Sequence, residues 1–260
     1  MSNISEKRIT REELMKHARS KVCLPLDKIA SISELRERVC ELSPVAGLFK
    51  VGKGSFTRFG FDAINSVHRF GAGVFLDLKY HDIPATVRDA AYAATQQGIY
   101  MFNVHAMGGK KMMEAAVEGA TKASEDYDIR KPKIVGVTIL TSIDQAMMND
   151  EMRIPGGVED QVLHLALLSK SAGLDGVVCS AADLRAIRSH LPHDFMYVTP
   201  GIKGTTTPAG DDQKRVFSPG NAVRAGSSIL VVGRAITDQP TPEARLQAGY
   251  EILQDMARYI

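Results

Sequence analysis

The chain has 260 residues, of which 44% are hydrophobic and 24% charged; that is ordinary globular usage and excludes an extended disordered chain. Its 32 basic and 30 acidic residues leave a net charge of +2, so there is no basic excess to make nucleic-acid binding its main business. Three widely spaced cysteines, Cys23, Cys40 and Cys179, exclude a disulfide scaffold and a four-cysteine zinc site, and they suit the reducing cytoplasm.

The N-terminal segment is charged throughout, with Glu6, Glu12 and Glu13, and it lacks the apolar core of a signal peptide. Thr10 and Glu13 have the spacing of a capping box, which predicts an extra N-terminal helix. Short apolar runs then alternate with helix-periodic segments. VCLPL (22–26) precedes SELRERVCEL, and LFKVG (48–52) precedes the long segment at 56–71. GVFLDLK (73–79) is followed by PATVRDAAYAATQQG, and YMFNVH (100–105) by KKMMEAAVEGATKASE. KIVGVTIL (133–140), DGVVCS (175–180), FMYVTPG (195–201) and SILVVGR (228–234) repeat the pattern to the C-terminal helix at 241–260.

Continuous apolar runs of this length suit strands buried on both faces, as in a parallel sheet. None approaches the roughly 18 residues of a transmembrane helix, so no membrane role is expected. Ser31 with Glu34 predicts a second capping box, and Thr241–Pro242 an N-cap followed by a first-turn proline. Gly98, Gly173 and Gly226 stand where helices should end. Eight strand–helix units without a break in composition predict one (β/α)8 TIM barrel over 1–260, with residues 1–20 as an N-terminal extension. A doubly wound sheet is the alternative, but it usually has fewer strands, and no GxGxxG follows the first run.

In such a barrel, chemistry collects at the C-terminal ends of the strands. The polar residues there are Asp27, Lys50, Asp77, Lys79, His105, Thr141, Ser180 and Arg234. The densest group is DLKYHDIPATV at 77–87. Asp77 and Lys79 stand two apart on one strand and so share a face. With Lys50 and Asp82 they make two cations and two anions, enough for an alternating charged array. Such an array is either a pair of structural ion pairs or a functional site, since unpartnered buried charge is costly and perturbed charges gather at sites.

This pattern resembles the orotidine 5′-phosphate decarboxylase family, whose D-x-K-x-x-D-I-x-x-T motif reads here as Asp77, Lys79, Asp82, Ile83 and Thr86. LFKVG resembles the family's K-x-G strand at Lys50, and VTILTS places Thr141 at the pyrimidine contact. TPGI (199–202), GDDQKRV (210–216) and VVGRAIT (231–237) resemble its phosphate-gripping end, with Pro200, Ile202, Gln213, Gly233 and Arg234. The likeness runs from about residue 22 to 235. The first run departs from the family's A-L-D by reading Pro25, Leu26, Asp27.

The resemblance implies loss of carbon dioxide from orotidine 5′-phosphate to give UMP, the last step of de novo pyrimidine synthesis. No metal or organic cofactor is expected, so fixed charge must stabilise the carbanion. Lys79 is then both the electrostatic partner and the proton donor. Lys50 and Asp82 orient Lys79 and the ribose, Asp77 faces the departing carboxylate, and Ile83 and Ile202 wall a pocket for carbon dioxide. Segment 203–213 reads as a lid, with Gln213 reaching the phosphate. The resemblance further implies a homodimer with shared sites, Asp82, Ile83 and Thr86 entering from the partner.

Two other functions compete. A magnesium-dependent 3-keto-gulonate 6-phosphate decarboxylase-type lyase shares D-x-K-x-x-D but carries a glutamate where Lys50 stands. A non-catalytic nucleotide-phosphate binder would not need Lys79 and Asp82.

Overall fold

A computed structural model describes residues 9–202 and 217–260. In chain order it contains α1 (Arg11–Ser20), β1 (Val22–Pro25), α2 (Ile32–Leu42), β2 (Leu48–Gly52), α3 (Lys53–Phe59), α4 (Phe61–His68) and β3 (Gly73–Tyr80). There follow α5 (Pro84–Thr95), β4 (Met101–His105), α6 (Lys110–Tyr127), β5 (Lys133–Val137), α7 (Val158–Ser171), β6 (Gly176–Val178) and α8 (Leu184–Ile187). The chain ends with β7 (Met196–Pro200), α9 (Pro219–Ala225), β8 (Ile229–Val231), α10 (Arg234–Thr237) and α11 (Pro242–Ala257). The strands are parallel and lie side by side in sequence order. β8 closes onto β1 through Val22↔Leu230 and Cys23↔Val231. The predicted (β/α)8 barrel and its extra N-terminal helix are both present.

Alternation along each strand explains the two-sided burial. Leu24, Phe49, Leu76, Phe102, Ile134 and Leu230 face outward into the layer shared with the helices. Cys23, Leu48, Phe75, Met101, Val135, Val198 and Ile229 point inward and fill the barrel. Burying a side chain of the Phe75 class contributes roughly 1.5–3 kcal/mol, which is why the interior is packed rather than open. The next inward position on three adjacent strands is polar: Lys50 after Leu48, Asp77 after Phe75, Asn103 after Met101. The apolar filling therefore stops where the site begins.

The helix ends follow their sequence signals with one correction. Thr10 and Glu13 form a full capping box. Ser31 accepts from the Glu34 N–H at 3.1 Å, but the Glu34 carboxylate takes the N–H of Ala30 at 2.8 Å rather than that of Ser31. Either N–H is an orphan donor at a helix start, and the long side chain serves the one upstream. The periodic segment at 56–71 is two helices, because Gly60 (φ +55°, ψ −139°) leaves helical space and stops the hydrogen-bond ladder. The fifth strand ends at Val137, three residues before its apolar run does. The connection beyond it contains a π-helical turn, Met147–Glu151, absent from the sequence reading. The Gln145 and Asn149 amides fasten that turn to the carbonyl of Gly156. Among the described residues no helix is long and apolar enough to cross a membrane.

Candidate active site

Strand register delivers the charges. Pro25 pairs with Lys50, and Gly52 with Asp77, so the ends of β1, β2 and β3 stand side by side. Pro25 ends its strand, and the N–H of Leu26 still donates to the Lys50 carbonyl at 3.0 Å. Asp27 thereby reaches Lys50 despite the proline. Gly52 makes room for that contact, since a Cβ there would stand 2.9 Å from both Asp27 Oδ1 and Lys50 Nζ.

β3 is not a regular strand at the site. Its pairing with β4 runs from Leu76↔Phe102 to Tyr80↔Val104, four steps of β3 against two of β4. The excess is taken up as a bulge, and Lys79 sits in the left-handed region with φ +52°. For a residue with a Cβ that conformation costs roughly 1–2 kcal/mol. Asn103 of β4 supports it, accepting the Lys79 N–H at Oδ1 over 2.8 Å.

The side chains form a continuous charged chain. Lys79 Nζ donates to Asp77 Oδ1 at 2.5 Å, and Lys50 Nζ lies 3.2 Å from Asp77 Oδ2 and 3.1 Å from Asp27 Oδ2. Asn103 Nδ2 adds a hydrogen bond to Asp77 Oδ1 at 2.7 Å. The expected array of two lysines and two aspartates exists, but within one chain its fourth member is Asp27, not Asp82. Burial would raise the Asp77 carboxyl; Lys50, Lys79 and the Asn103 hydrogen bond overcome it and hold the group below the usual carboxylate range. Burial likewise opposes the Lys50 charge, and Asp77 and Asp27 more than offset it, keeping the ammonium above its ordinary value. His105, two residues beyond Asn103, is pushed down to about 4 by burial first and then by His81, Lys79 and Lys53. It is therefore a neutral ring near pH 7, 5.4 Å from that of His81.

The DIPAT segment stands apart from this chain of charges. Asp82, Ile83 and Thr86 are exposed, and Asp82 Oδ1 accepts from the neighbouring Ile83 N–H at 2.7 Å. Ile83, though apolar, is 66% exposed. On the other side of the mouth lies a cavity of about 500 Å³ lined by Asp27, Lys50, Pro200, Ile202, Gly233 and Arg234. The ionic chain meets the cavity at Asp27 and Lys50, with Asp77 and Lys79 behind them. Thr141 borders a different, much smaller hollow with Ser180 and Asp183, so it is not brought to the main cavity. Gln213 and the proposed lid at 203–213 lie outside the described residues.

Residues 20–248 match the model of the orotidine 5′-phosphate decarboxylase / HUMPS family. The chain belongs to that family. A Moorella thermoacetica protein named orotidine 5′-phosphate decarboxylase is 43% identical, over 91% of this chain and 93% of its own. One from Vibrio cholerae with the same name is 42% identical, over 85% and 90%. Among solved structures, the decarboxylase of Lactobacillus acidophilus superposes with a TM-score of 0.78 at 35% identity, covering 91% of this chain and 99% of that one. An uncharacterised conserved protein from Geobacillus kaustophilus gives 0.75 at 34%, covering 90% and 99%.

Within this family frame one polar residue escaped the sequence reading. Asn103 is fully buried and touches both Asp77 and Lys79. Its signal was present: it is a polar residue at an inward position of an otherwise apolar run, the same anomaly that singled out Asp77.

Proposed function

We propose that this protein is a carboxy-lyase that converts orotidine 5′-phosphate to UMP, the closing step of de novo pyrimidine synthesis, in the cytoplasm and without a cofactor. One observation carries the reading: Asp77 holds two lysine ammonium groups, and one of them, Lys50, lines the cavity that Arg234 also lines. The bond between C6 and its carboxylate breaks, carbon dioxide leaves, and the electron pair stays on C6. The Lys79 ammonium stabilises that charge and delivers its proton to C6; the resulting amine regains a proton from water. Asp77, held ionised, keeps Lys79 in place and faces the departing carboxylate. Ile202 of the cavity wall, met by an Ile83 that enters across the dimer described below, bounds the space into which carbon dioxide goes.

Gly233 and Arg234 hold the phosphate, with Gln213. An arginine grips a phosphate dianion through two parallel hydrogen bonds. Arg234→Ala is accordingly expected to raise KM for the nucleotide about 10- to 100-fold, as loss of a charged hydrogen bond does. Turnover of the phosphate-free nucleoside should hardly change. Steady-state assays on both substrates check this, and equal damage to both contradicts the phosphate role.

The exposed Asp82, Ile83 and Thr86 fit a homodimer in which each loop completes the partner's site, as two-fold symmetry makes two equivalent composite sites.

The family's double name leaves a metal-dependent sugar-phosphate lyase as the competing reading. Lys50 weighs against it, since its ammonium occupies the position between Asp27 and Asp77 where a carboxylate-bound cation would sit. The deciding experiment follows ultraviolet loss of orotidine 5′-phosphate with purified protein before and after exhaustive chelation. Full activity with EDTA is expected; loss that magnesium restores moves the protein to the other branch.

A further inference from the structure

Asn103 makes two hydrogen bonds to the segment that carries the Lys79 ammonium. Its carbonyl oxygen accepts the backbone N–H of Lys79 at 2.8 Å, and its amide nitrogen donates to Asp77 Oδ1 at 2.7 Å. The amide can be oriented only one way, because a backbone N–H can only donate and an ionised carboxylate can only accept. The residue is fully buried, on a strand paired with β3 on both sides of the bulge. Asp77 Oδ1 is also the atom that takes the Lys79 ammonium.

We infer that Asn103 is a positioning residue for the reaction: it pins the left-handed backbone of Lys79 and the carboxylate that aims the Lys79 ammonium. The inference rests on the decarboxylase reading above. The physical ground is that one planar group fixes both ends of a short loop, from the Lys79 backbone to the Lys79 Nζ. Without it, the bulge keeps its two surplus residues but loses the acceptor that stabilises φ +52°. The ammonium then shifts, and a misplacement of about 1 Å costs on the order of 100-fold in rate. Product affinity is untouched in this account, because Asn103 is not among the residues lining the cavity that Arg234 also lines.

The test uses the full-length protein with Asn103→Ala and Asn103→Asp. Asn103→Ala should lower kcat about 100-fold, with UMP affinity and the number of UMP sites per chain unchanged. A residue that merely holds the barrel together would instead lower the melting temperature and the number of binding sites, leaving kcat per folded site intact. Asn103→Asp keeps an acceptor for the Lys79 N–H. When ionised it repels Asp77; when protonated it donates to Asp77 as the amide does. The titratable groups around that position are Asp77 and Lys79 on β3, Lys50 on β2 and the neutral His105 on β4. A buried carboxyl beside Asp77 has a raised pKa, so turnover relative to wild type should climb about tenfold between pH 8 and pH 6.

A kcat for Asn103→Ala within about threefold of wild type overturns the inference. If that variant does not fold, Asn103→Asp decides alone, and a relative turnover that is flat with pH overturns it. If the wild type itself leaves orotidine 5′-phosphate unchanged, the decarboxylase reading fails. Crystal structures then judge the positioning separately. Asn103→Ala with Lys79 still left-handed and still bonded to Asp77 refutes it, and a relaxed Lys79 backbone supports it.

Discussion

Lys79→Ala is expected to abolish UMP formation while leaving a folded barrel that still binds UMP. Loss of a positioned acid alone costs about 100- to 10,000-fold. On the proposed mechanism the substitution also removes the positive charge that faces the developing carbanion, so the loss should exceed that range. Folding should survive, because Asp77 retains Lys50 at 3.2 Å and Asn103 at 2.7 Å and is not left as a bare buried anion. Lys79 itself is only part-buried, so little apolar area is lost. The check is an ultraviolet assay with enzyme in excess, beside calorimetric titration with UMP. Near-normal turnover in a verified preparation sinks the assignment of Lys79.

The second large effect is a recovery. Asp82→Asn and Lys79→Ala should each be nearly inactive alone, and a re-equilibrated mixture of the two should regain activity. If Asp82 serves the partner's Lys79, a mixed dimer has both lesions in one site and a wild-type second site. Random exchange makes half the dimers mixed, so about one quarter of all sites recover. The exposed position of Asp82, whose carboxylate caps its own loop at the Ile83 N–H rather than joining the ionic chain, motivates the experiment. Mixtures that stay dead after proven subunit exchange confine each site to one chain.

The architecture was legible because strands buried on both faces leave continuous apolar runs. Their ends were less so. Thr138, Ile139 and Leu140 continue the fifth apolar run, yet the strand ends at Val137, with the Thr138 N–H still donating across to Val178, since hydrogen-bond pairing and not hydrophobicity ends a strand. Gly60 splits a segment whose periodicity is unbroken, because a positive φ leaves no trace in apolar spacing. At the site, Asp77, Lys79 and Lys50 were readable as charges inside apolar runs. The bulge was not, for it depends on which residue of β4 faces which of β3. Likewise the choice of Asp27 over Asp82 beside Lys50 depends on the Pro25↔Lys50 register, a relation between strands that spacing along one of them does not contain.

Barrel closure gives the cavity a further consequence. β1 and β8 pair across some two hundred residues of chain, through Val22↔Leu230, and the terminal helices α1 and α11 pack together beside them. Contacts of such separation must meet their loop-closure cost before any pairing rewards it. The cavity straddles this seam: Asp27 comes from the β1 side, Gly233 and Arg234 from the β8 side. The cavity is therefore assembled only when the two ends of the described barrel meet. A ligand gripped there acts as a clasp across the joint between the two ends, and it stabilises the folded barrel in proportion to the logarithm of its concentration above Kd.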